Sequence, residues 1–270
     1  MKNVCVITGG GSGMGLAAAK FMPKDKIIVL TGRTMSKLEN AVKQLEELGY
    51  EAHATTCDTS RKKQVRELAE YAAGFGEIKN VINAAGLSPA MADPEQIMRV
   101  NALGTVYVNQ EFSKHMQKGS VIVDIASNSA YILPGFLANK KTFALADSNE
   151  KLFLKKMLRM PNRMKGYQAS GLAYGLSKQF VIWYAAKCAY EYGRKKIRVC
   201  SLSPGLIAKD MGNLEAEEGG SLLDTTAEGR MGTPEELGYA IASVADERNG
   251  YLAGVDILCD GGSVVGKKFK

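Results

Sequence analysis

The chain has 270 residues, 46% of them hydrophobic, and a formal net charge of +7. This length and hydrophobic content allow one large core, so we expect a single domain over residues 1–270. The five cysteines include no C-x-x-C pair, and no apolar run approaches the ~20 residues of a membrane span. These features exclude a disulfide scaffold and a membrane protein, and they predict a cytoplasmic protein. Because His53 and His115 are the only histidines and lie far apart, we predict no metal site.

The first predicted element is a strand that runs into a glycine-rich turn. Residues 4–7 are apolar, and Thr8 opens the spacing Thr-Gly-x-x-x-Gly-x-Gly before a helical pattern over residues 16–21. A strand, a glycine turn and a helix N-terminus together present backbone N–H groups to an anion. Glycine also serves ordinary turns, so the alternative is a purely structural loop. Because the motif directly follows the first strand, we predict a phosphate-binding loop built from Gly9, Ser12, Gly13, Met14 and Gly15.

The end of the second strand bears on the choice of cofactor. Residues 26–30 predict a strand and residues 36–48 an amphipathic helix, with Gly32 and Arg33 between them. An NAD site usually has a carboxylate near this position, whereas the 2′-phosphate of NADP needs a cation, and a guanidinium offers it two parallel N–H groups. Arg33 therefore favours NADP(H), with NAD(H) as the alternative cofactor. The competing interpretation is that Arg33 is a solvated loop charge.

Two further strands end in residues suited to a dinucleotide. Residues 52–56 lead to Asp58 and a helix over 61–73, and residues 80–83 lead to three small residues and a helix over 94–116. Open α/β sheets bind ligands at the carboxyl ends of their strands. Asp58 has the alternative role of capping the helix that follows it. The contacts predicted from these strand ends are Asp58, Thr59, Asn83, Ala84, Ala85 and Gly86.

The remaining strands complete the predicted fold. Residues 120–126 end at Ser127, residues 197–202 precede Pro204 and Gly205, and residues 255–259 form the last strand. Strands that alternate with helices at this rhythm imply right-handed crossovers. The sequence therefore predicts an α/β fold with a doubly wound, Rossmann-type parallel sheet.

A tyrosine and a lysine four residues apart open another predicted helix. Residues i and i+4 share a helix face, so the phenol of Tyr174 and the ammonium of Lys178 point the same way. A free tyrosine loses its proton near pH ~10, and a lysine at ~4–5 Å favours the phenolate by about two to three pK units at an effective dielectric of ~20. A shift of that size suits an acid/base working near neutrality. The alternative is a chance spacing on a helix surface.

Taken in order, these motifs resemble the short-chain dehydrogenase/reductase family. The resemblance covers nearly the whole chain. Three features look most like a bacterial subgroup containing 3α-hydroxysteroid dehydrogenase/carbonyl reductases: the run Ser170-Gly-Leu-Ala-Tyr174-Gly-Leu-Ser-Lys178, the start Ser127-Asn-Ser-Ala-Tyr131 and the long insert between them. The motifs that carry it are Thr8-Gly9-x-x-x-Gly13-x-Gly15, Asn83-Ala-Ala-Gly86, Asn101, Ser127, Tyr174-x-x-x-Lys178 and Pro204-Gly205.

The resemblance implies a role for each residue of the candidate site. It makes Tyr174 the general acid/base, while Lys178 lowers its pKa and holds the nicotinamide ribose. Ser127 orients the substrate oxygen, and Asn101 positions a relay water. The implied reaction interconverts a secondary alcohol and a ketone, with a hydroxysteroid, including bile-acid types, as the leading substrate and general carbonyl or small-ketone reduction as the alternative. A homodimer or homotetramer is also implied. The further cofactor contacts that it implies are Pro204, Gly205 and Ile207.

Two departures from the family pattern are visible. Lys209 stands where the family usually has a threonine, four residues after Gly205. Tyr174 follows Ser127 by 47 residues, where the family usually has about a dozen, so residues 133–170 are predicted to form a helical insert. The glycine-containing loop over residues 208–229 lies where such enzymes usually have a mobile substrate lid.

The insert carries most of the positive charge of the chain. Between residues 139 and 165 it has eight basic residues against Asp147 and Glu150, which is +6 of the net +7. One interpretation is a solvated helix packed on its own domain through a partly apolar face of Leu152, Phe153, Lys156, Met157 and Met160. The other is that the insert borders the substrate cleft and attracts acidic substrates such as bile acids or acyl-CoA compounds. The basic residues are Lys140, Lys141, Lys151, Lys155, Lys156, Arg159, Arg163 and Lys165.

Two other classes of function compete with an active reductase. One is a catalytically idle dinucleotide-sensing protein, which the intact set of Asn101, Ser127, Tyr174 and Lys178 argues against. The other is a binder of nucleic acid or anionic membranes, suggested by the pI near 9.0, but aromatic-rich basic motifs are absent. We therefore predict a small-molecule ketone or alcohol as the partner, and neither nucleic acid nor a membrane.

Overall fold

The protein is built on one parallel sheet. The computed structural model describes residues 2–208, 226–266 and 269, and within them seven strands pair in the order β3-β2-β1-β4-β5-β6-β7. The predicted Rossmann-type α/β fold is confirmed. The strands are β1 (Asn3–Thr8), β2 (Lys26–Gly32), β3 (Glu51–Thr56), β4 (Glu77–Asn83), β5 (Met116–Ile125), β6 (Arg198–Pro204) and β7 (Asp256–Cys259).

The helices cover both faces of this sheet. A π-helix, Met98–Leu103, joins the fourth helix to the fifth. None of the described helices is long and apolar enough to cross a membrane. The helices are α1 (Gly13–Ala19), α2 (Met35–Glu47), α3 (Lys62–Ala73), α4 (Pro94–Ile97), α5 (Gly104–Phe112), α6 (Ser129–Ile132), α7 (Lys140–Phe143), α8 (Glu150–Met157), α9 (Gly166–Gly193), α10 (Pro234–Val244) and α11 (Ser263–Gly266).

The order of the strands reverses at the centre of the sheet. β1 pairs with β2 on one side and with β4 on the other. On one face of the sheet Leu16, Leu38 and Ile241 pack from α1, α2 and α10, and on the other face Val65 and Phe180 pack from α3 and α9. Strands buried on both faces contain near-continuous apolar runs, as residues 4–7 of β1 do here. The reversal opens a crevice at the carboxyl ends of β1 and β4, where open sheets bind their ligands.

Two predicted helix boundaries are wrong. The helix expected over residues 94–116 stops at Phe112, because Met116 begins β5 and pairs with Ile78 of β4. An apolar residue at position 116 fits either a helical face or a buried strand, so periodicity alone could not decide. The helix expected to open at Tyr174 begins at Gly166. Tyr174 therefore lies inside α9, on a long and firmly packed element.

The chain between α6 and α9 forms a helical excursion that packs on the body of the protein. The rings of Phe143 and Phe153 lie 5.4 and 5.0 Å from the ring of Phe180 on α9. Helix α8 therefore packs against its own protein, as the first interpretation of the insert expects, but its apolar face was misplaced by the sequence pattern. The expected face was Leu152, Phe153, Lys156, Met157 and Met160, whereas the buried residues are Phe153, Leu154, Met157 and Leu158.

The carboxylates of the insert are used to attach it. Asp147 accepts hydrogen bonds from Tyr184 Oη at 2.7 Å and from Gln110 Nε2 at 2.9 Å, and Glu150 accepts one from Tyr107 Oη at 2.9 Å. The eight basic side chains are all exposed, and none has an ion-pair partner among the described residues. The outer surface of the insert is therefore strongly positive, because its negative charges face inward.

Candidate active site

The glycine-rich turn after β1 keeps the backbone close to the next strand. Gly9 has φ +67°, a conformation that side chains rarely adopt. A Cβ on Gly9 would lie 2.9 Å from the carbonyl of Ala84 and the nitrogen of Ala85, and a Cβ on Gly15 would lie 2.5 Å from the oxygen of Gly9. Only glycine permits these approaches. These two glycines therefore let the turn pack closely against the loop after β4 and against the start of α1.

This turn forms one wall of a cavity of about 300 Å³ at the carboxyl edge of the sheet. Ten of the predicted cofactor contacts line it, namely Gly9, Ser12, Met14, Gly15, Arg33, Asp58, Thr59, Ala84, Ala85 and Gly86. The other seven lie outside its lining: Gly13, Asn83, Tyr174, Lys178, Pro204, Gly205 and Ile207. Sequence analysis missed Gly11, Gly32, Thr34, Lys37, Leu38, Cys57, Leu87, Met91 and Val100, most of which adjoin a predicted contact.

One end of the cavity is positively charged. Arg33 follows β2, and Lys37 lies one helical turn later in α2. Neither cation has a hydrogen bond or an ion pair with another described residue. The carboxylate of Asp58 in the same lining is already engaged, because its Oδ1 accepts from Ser60 N at 3.0 Å and from Ser60 Oγ at 2.7 Å. The N-cap of α3 is Arg61, so Asp58 does not cap that helix. This end of the cavity suits an anion.

Asn101 is buried, and it ties the loop after β4 to α9. Its Oδ1 accepts a hydrogen bond from Leu87 N at 2.8 Å, and its Nδ2 donates to Leu87 O at 3.0 Å and to Ser177 Oγ at 3.2 Å. Ser177 Oγ in turn donates to the carbonyl of Tyr174 at 2.7 Å. The π-helix around Asn101 is a feature often found at functional sites. Asn101 is therefore part of the buried framework that holds this loop against α9.

Lys178 is buried beside the same loop. A Cβ on Gly86 would lie 3.3 Å from Asn101 Oδ1 and 3.6 Å from Lys178 Nζ, so both groups border this glycine. Lys178 Nζ donates a 2.8 Å hydrogen bond to Ile125 O and lies 5.6 Å from the centre of the Tyr174 ring. Burial lowers the pKa of Lys178 to about 8, and the nearby charge of Asp124 opposes that fall. The lysine is thus still mostly protonated near neutrality.

Ser127 lies just beyond the carboxyl end of β5 and is buried. Its Oγ accepts a hydrogen bond from Ser129 N at 3.2 Å. The chain that follows presses on α9 next to the tyrosine, because a Cβ on Gly175 would clash with the side chain of Leu133 and lie 3.6 Å from Ser129 O. The segment after Ser127 and the helix of Tyr174 are therefore in direct contact, although 47 residues separate the two side chains.

The turn after β6 is held by the last strand. Gly205 N donates to Cys259 O at 3.0 Å, and a Cβ on Gly205 would lie 2.7 Å from Cα of Asp260. Ile207 forms a single parallel bridge with Gly232. Lys209 and nearly all of the predicted lid over residues 208–229 lie outside the described residues.

Comparisons with known proteins decide the family. A family model described as short chain dehydrogenase matches residues 3–137, half of the chain. The chain belongs to the short-chain dehydrogenase/reductase family. A second model, described as Enoyl-(Acyl carrier protein) reductase, matches residues 160–264 of this short-chain dehydrogenase/reductase. The resemblance seen in the motifs is confirmed at the level of the family, and the protein is an enzyme of the oxidoreductase class.

Relatives of this short-chain dehydrogenase/reductase are distant but span it end to end. A short-chain dehydrogenase/reductase of Alternaria brassicicola is 26% identical over 268 residues, 97% of this chain and 96% of its own. Carbonyl reductase family member 4 of Xenopus laevis is 27% identical and covers 97% of this chain and 98% of its own. A short chain dehydrogenase of Burkholderia cenocepacia, solved in complex with NADP, has a TM-score of 0.76 at 21% identity and covers 97% of both chains. That structure shows a shared fold.

A buried carboxyl group lies behind the candidate site of this short-chain dehydrogenase/reductase, and sequence analysis missed it. Asp124 in β5 accepts hydrogen bonds from Asn83 Nδ2 at 2.8 Å and from Asn109 Nδ2 at 2.9 Å. Asn83 also accepts from Thr8 Oγ1 at 2.9 Å, and Thr8 Oγ1 accepts from Ala85 N at 3.0 Å. This chain of hydrogen bonds connects three strand ends. The available signal was one acidic residue inside the apolar run of residues 121–125.

Asp124→Asn is expected to stabilise the protein above about pH 7 and to give no gain below about pH 4. Burial raises the pKa of Asp124 from 3.8 to about 6, against the hydrogen bonds of Asn83 and Asn109. The pKa of Asp124 is higher in the folded than in the unfolded protein, so the protonated carboxyl stabilises the fold. This contribution is complete below the unfolded pKa and is lost as the pH rises through about 6. The buried charge then costs on the order of 2–3 kcal/mol. Urea unfolding at both pH values measures the difference.

The asparagine keeps most of the hydrogen bonds of the carboxylate. With its oxygen in the place of Oδ1 it still accepts from Asn83 Nδ2 at 2.8 Å and from Asn109 Nδ2 at 3.0 Å, and only the bond from Asn109 Nδ2 to Oδ2 is lost. Asn109→Ala serves as the control, because it removes hydrogen bonds without removing a charge and should destabilise at both pH values. An Asp124→Asn effect that does not change with pH would show that folding leaves the pKa of this carboxyl unshifted.

Proposed function

We propose that the protein is an NADP(H)-dependent oxidoreductase that interconverts a secondary alcohol and a ketone. The observation that carries the proposal is the convergence on Gly86, at the edge of the cavity, of Asn101 from the π-helix and of Lys178 from the helix that carries Tyr174. An acid/base and a cation meet there beside a space lined by a glycine-rich turn. Such an arrangement suits proton transfer to or from an oxygen atom.

The chain supports a nicotinamide dinucleotide in two ways. Backbone of the glycine-rich turn lines the cavity, packed as closely as Gly9 and Gly15 allow, and Arg33 and Lys37 are cations at one end of it with no partner among the described residues. Two cations suit a 2′-phosphate, and the one carboxylate among the described lining residues, that of Asp58, is already bonded to Ser60, which favours NADP(H) over NAD(H). A bound nicotinamide supplies hydride for reduction and accepts it in oxidation. The residues that line the cavity would hold it.

Tyr174 moves the proton in this proposal. In reduction its Oη donates a proton to the substrate oxygen, and in oxidation the phenolate takes the proton back. The Lys178 ammonium lies 5.6 Å from the centre of the Tyr174 ring, and a positive charge so close favours the phenolate. Ser127 orients the substrate oxygen, and Asn101 fixes the loop and α9 relative to each other.

We further propose a hydroxysteroid, including bile-acid types, as the leading substrate. The support is the resemblance of the motifs around Ser127 and Tyr174 to hydroxysteroid dehydrogenases. The alternative, a general carbonyl or small-ketone reductase, is supported by the carbonyl reductase of Xenopus laevis at 27% identity. We infer a homodimer or homotetramer from the same resemblance, and light scattering tests it. Five free cysteines favour a reducing compartment such as the cytoplasm.

The exposed cations of the insert support a preference for acidic substrates. With wild-type protein and NADPH, we expect a carboxylate-bearing steroid ketone to have a kcat/KM that falls several-fold from low to high ionic strength, because salt screens long-range attraction. Its neutral analogue should show little change. The measurement is loss of NADPH absorbance across a panel of steroid, bile-acid and simple ketones. A protein that consumes NADPH with none of them would refute the proposed activity.

A charge control separates steering from general electrostatics. The Lys155/Lys156/Arg159 triple alanine should remove most of the salt dependence for the carboxylate substrate. An Arg194/Lys195/Lys196 triple alanine removes the same amount of charge from the opposite end of α9, where the side chains are also exposed. This variant should keep the salt dependence for the carboxylate substrate. Equal salt dependence for charged and neutral substrates would leave the insert with a structural role alone.

A further inference from the structure

The end of the insert forms a second, larger cavity. Its volume is about 500 Å³, within the range of roughly 300–1,000 Å³ typical of small-molecule sites. Three segments surround it: the turn before α4, the end of the insert and the first turn of α9. Its lining is mostly apolar and consists of Ala92, Asp93, Pro94, Pro161, Asn162, Met164, Gly166, Ala169 and Ser170.

This cavity lies one helical turn from the proposed acid/base. Ser170 lines it, and Tyr174 is four residues further along α9, on the same face and about 6 Å away along the axis. Ser170 Oγ donates a 3.0 Å hydrogen bond to Ala92 O, which fixes the loop after β4. Gly86 and Met91 of that loop line the cofactor cavity. One loop therefore separates the two cavities, and one helix face runs from the larger cavity to Tyr174.

The lining indicates the chemistry of what would bind. Among the described residues, no lysine or arginine side chain lines this cavity. Its one carboxylate, on Asp93, accepts a 2.9 Å hydrogen bond from Gln96 N as the N-cap of α4. Alanine, proline and methionine walls offer apolar contact, and burial of each CH₂ against such walls favours binding. The occupant is therefore an uncharged, apolar group, and any carboxylate of a substrate would lie outside this lining.

We propose that this cavity binds the apolar body of the substrate, remote from the carbonyl that Tyr174 protonates. The inference rests on the proposed reductase activity and adds to it a site for large hydrophobic ketones. The insert supplies one wall of this site through Pro161 and Met164. Small ketones, which reach only Tyr174, do not need it.

The test is a substitution that fills the cavity without touching the proton-transfer residues. Ala169→Leu adds three carbons to the wall, and leucine is a good helix former. With NADPH, we expect the ratio of kcat/KM for a steroid 3-ketone to that for diacetyl to fall by about tenfold or more, since each lost buried CH₂ is worth about fourfold. Met164→Ala, which removes an apolar wall at a part-exposed position, should lower the same ratio less.

Gly171→Leu is the matched control. It adds a larger side chain to the same helix, and a Cβ there meets nothing within 4 Å. This variant should keep the wild-type ratio. If wild type reduces ketones but Ala169→Leu and Met164→Ala also keep that ratio, the cavity is not a substrate site and the inference is overturned. If wild type consumes NADPH with no ketone, the proposed function itself has failed, and the inference fails with it.

Discussion

Tyr174→Phe is expected to abolish turnover while NADPH affinity stays within a few-fold of wild type. The substitution removes one oxygen, the atom that exchanges a proton with the substrate, and leaves the ring and its packing on α9 in place. Loss of a positioned general acid typically slows a reaction by about 10²–10⁴-fold. Ketone reduction followed by NADPH absorbance, together with a fluorescence titration of NADPH, measures both quantities.

A second tyrosine on the same helix provides the control. Tyr190 is exposed on α9, and Tyr190→Phe should be as active as wild type. Lys178→Met should damage both steps, because one ammonium serves the phenol and the cofactor ribose. Turnover of Tyr174→Phe above a few per cent of wild type would remove Tyr174 from the proton-transfer role, and a Lys178→Met variant with normal cofactor affinity would contradict the dual role of the lysine.

Arg33→Ala is expected to shift the preference from NADP(H) towards NAD(H) by roughly 10- to 150-fold. A 2′-phosphate paired with a guanidinium is a charge-assisted contact worth about 1.5–3 kcal/mol, and Arg33 lines the cavity with no competing partner among the described residues. The readout is the ratio of kcat/KM for NADPH and NADH in wild type and variant.

The size of this shift in cofactor preference also depends on the second cation that lines the cavity. Lys37 lies in the same lining, so a residual preference for NADPH in Arg33→Ala is compatible with the assignment. Lys43→Ala is the control, because it removes one exposed charge from α2 outside the cavity. An unchanged cofactor ratio in Arg33→Ala would identify Arg33 as a surface charge, the interpretation left open by the sequence.

The sheet and the strand ends were predictable because they depend on local patterns. An apolar run buried on both faces ends abruptly where the chain leaves the sheet, and glycine or polar residues mark that point, as at Thr8 and Asn83. The parallel order then brings all the carboxyl ends to one edge. Ten predicted contacts consequently line one cavity, although they come from four different strand ends.

The features that sequence analysis missed depend on contacts between distant parts of the chain. Asp124 is bonded to Asn83, 41 residues earlier, and to Asn109, 15 residues earlier, so no local pattern shows that its carboxyl is satisfied. The true buried face of α8 was set by Phe180, which lies on another helix. The early start of α9 extends the helix over Ala169, and this shift brings the cavity of the insert within one turn of Tyr174.

The insert also changes how the helix of Tyr174 is supported. Phe143 and Phe153 pack against Phe180 from the same chain, so the cover of this part of α9 is tethered to it. A cover that belonged to another subunit would leave as the protein is diluted, whereas a tethered cover is present at a constant effective concentration. The structural support of this stretch of α9 is thus independent of protein concentration, even where assembly of subunits is not.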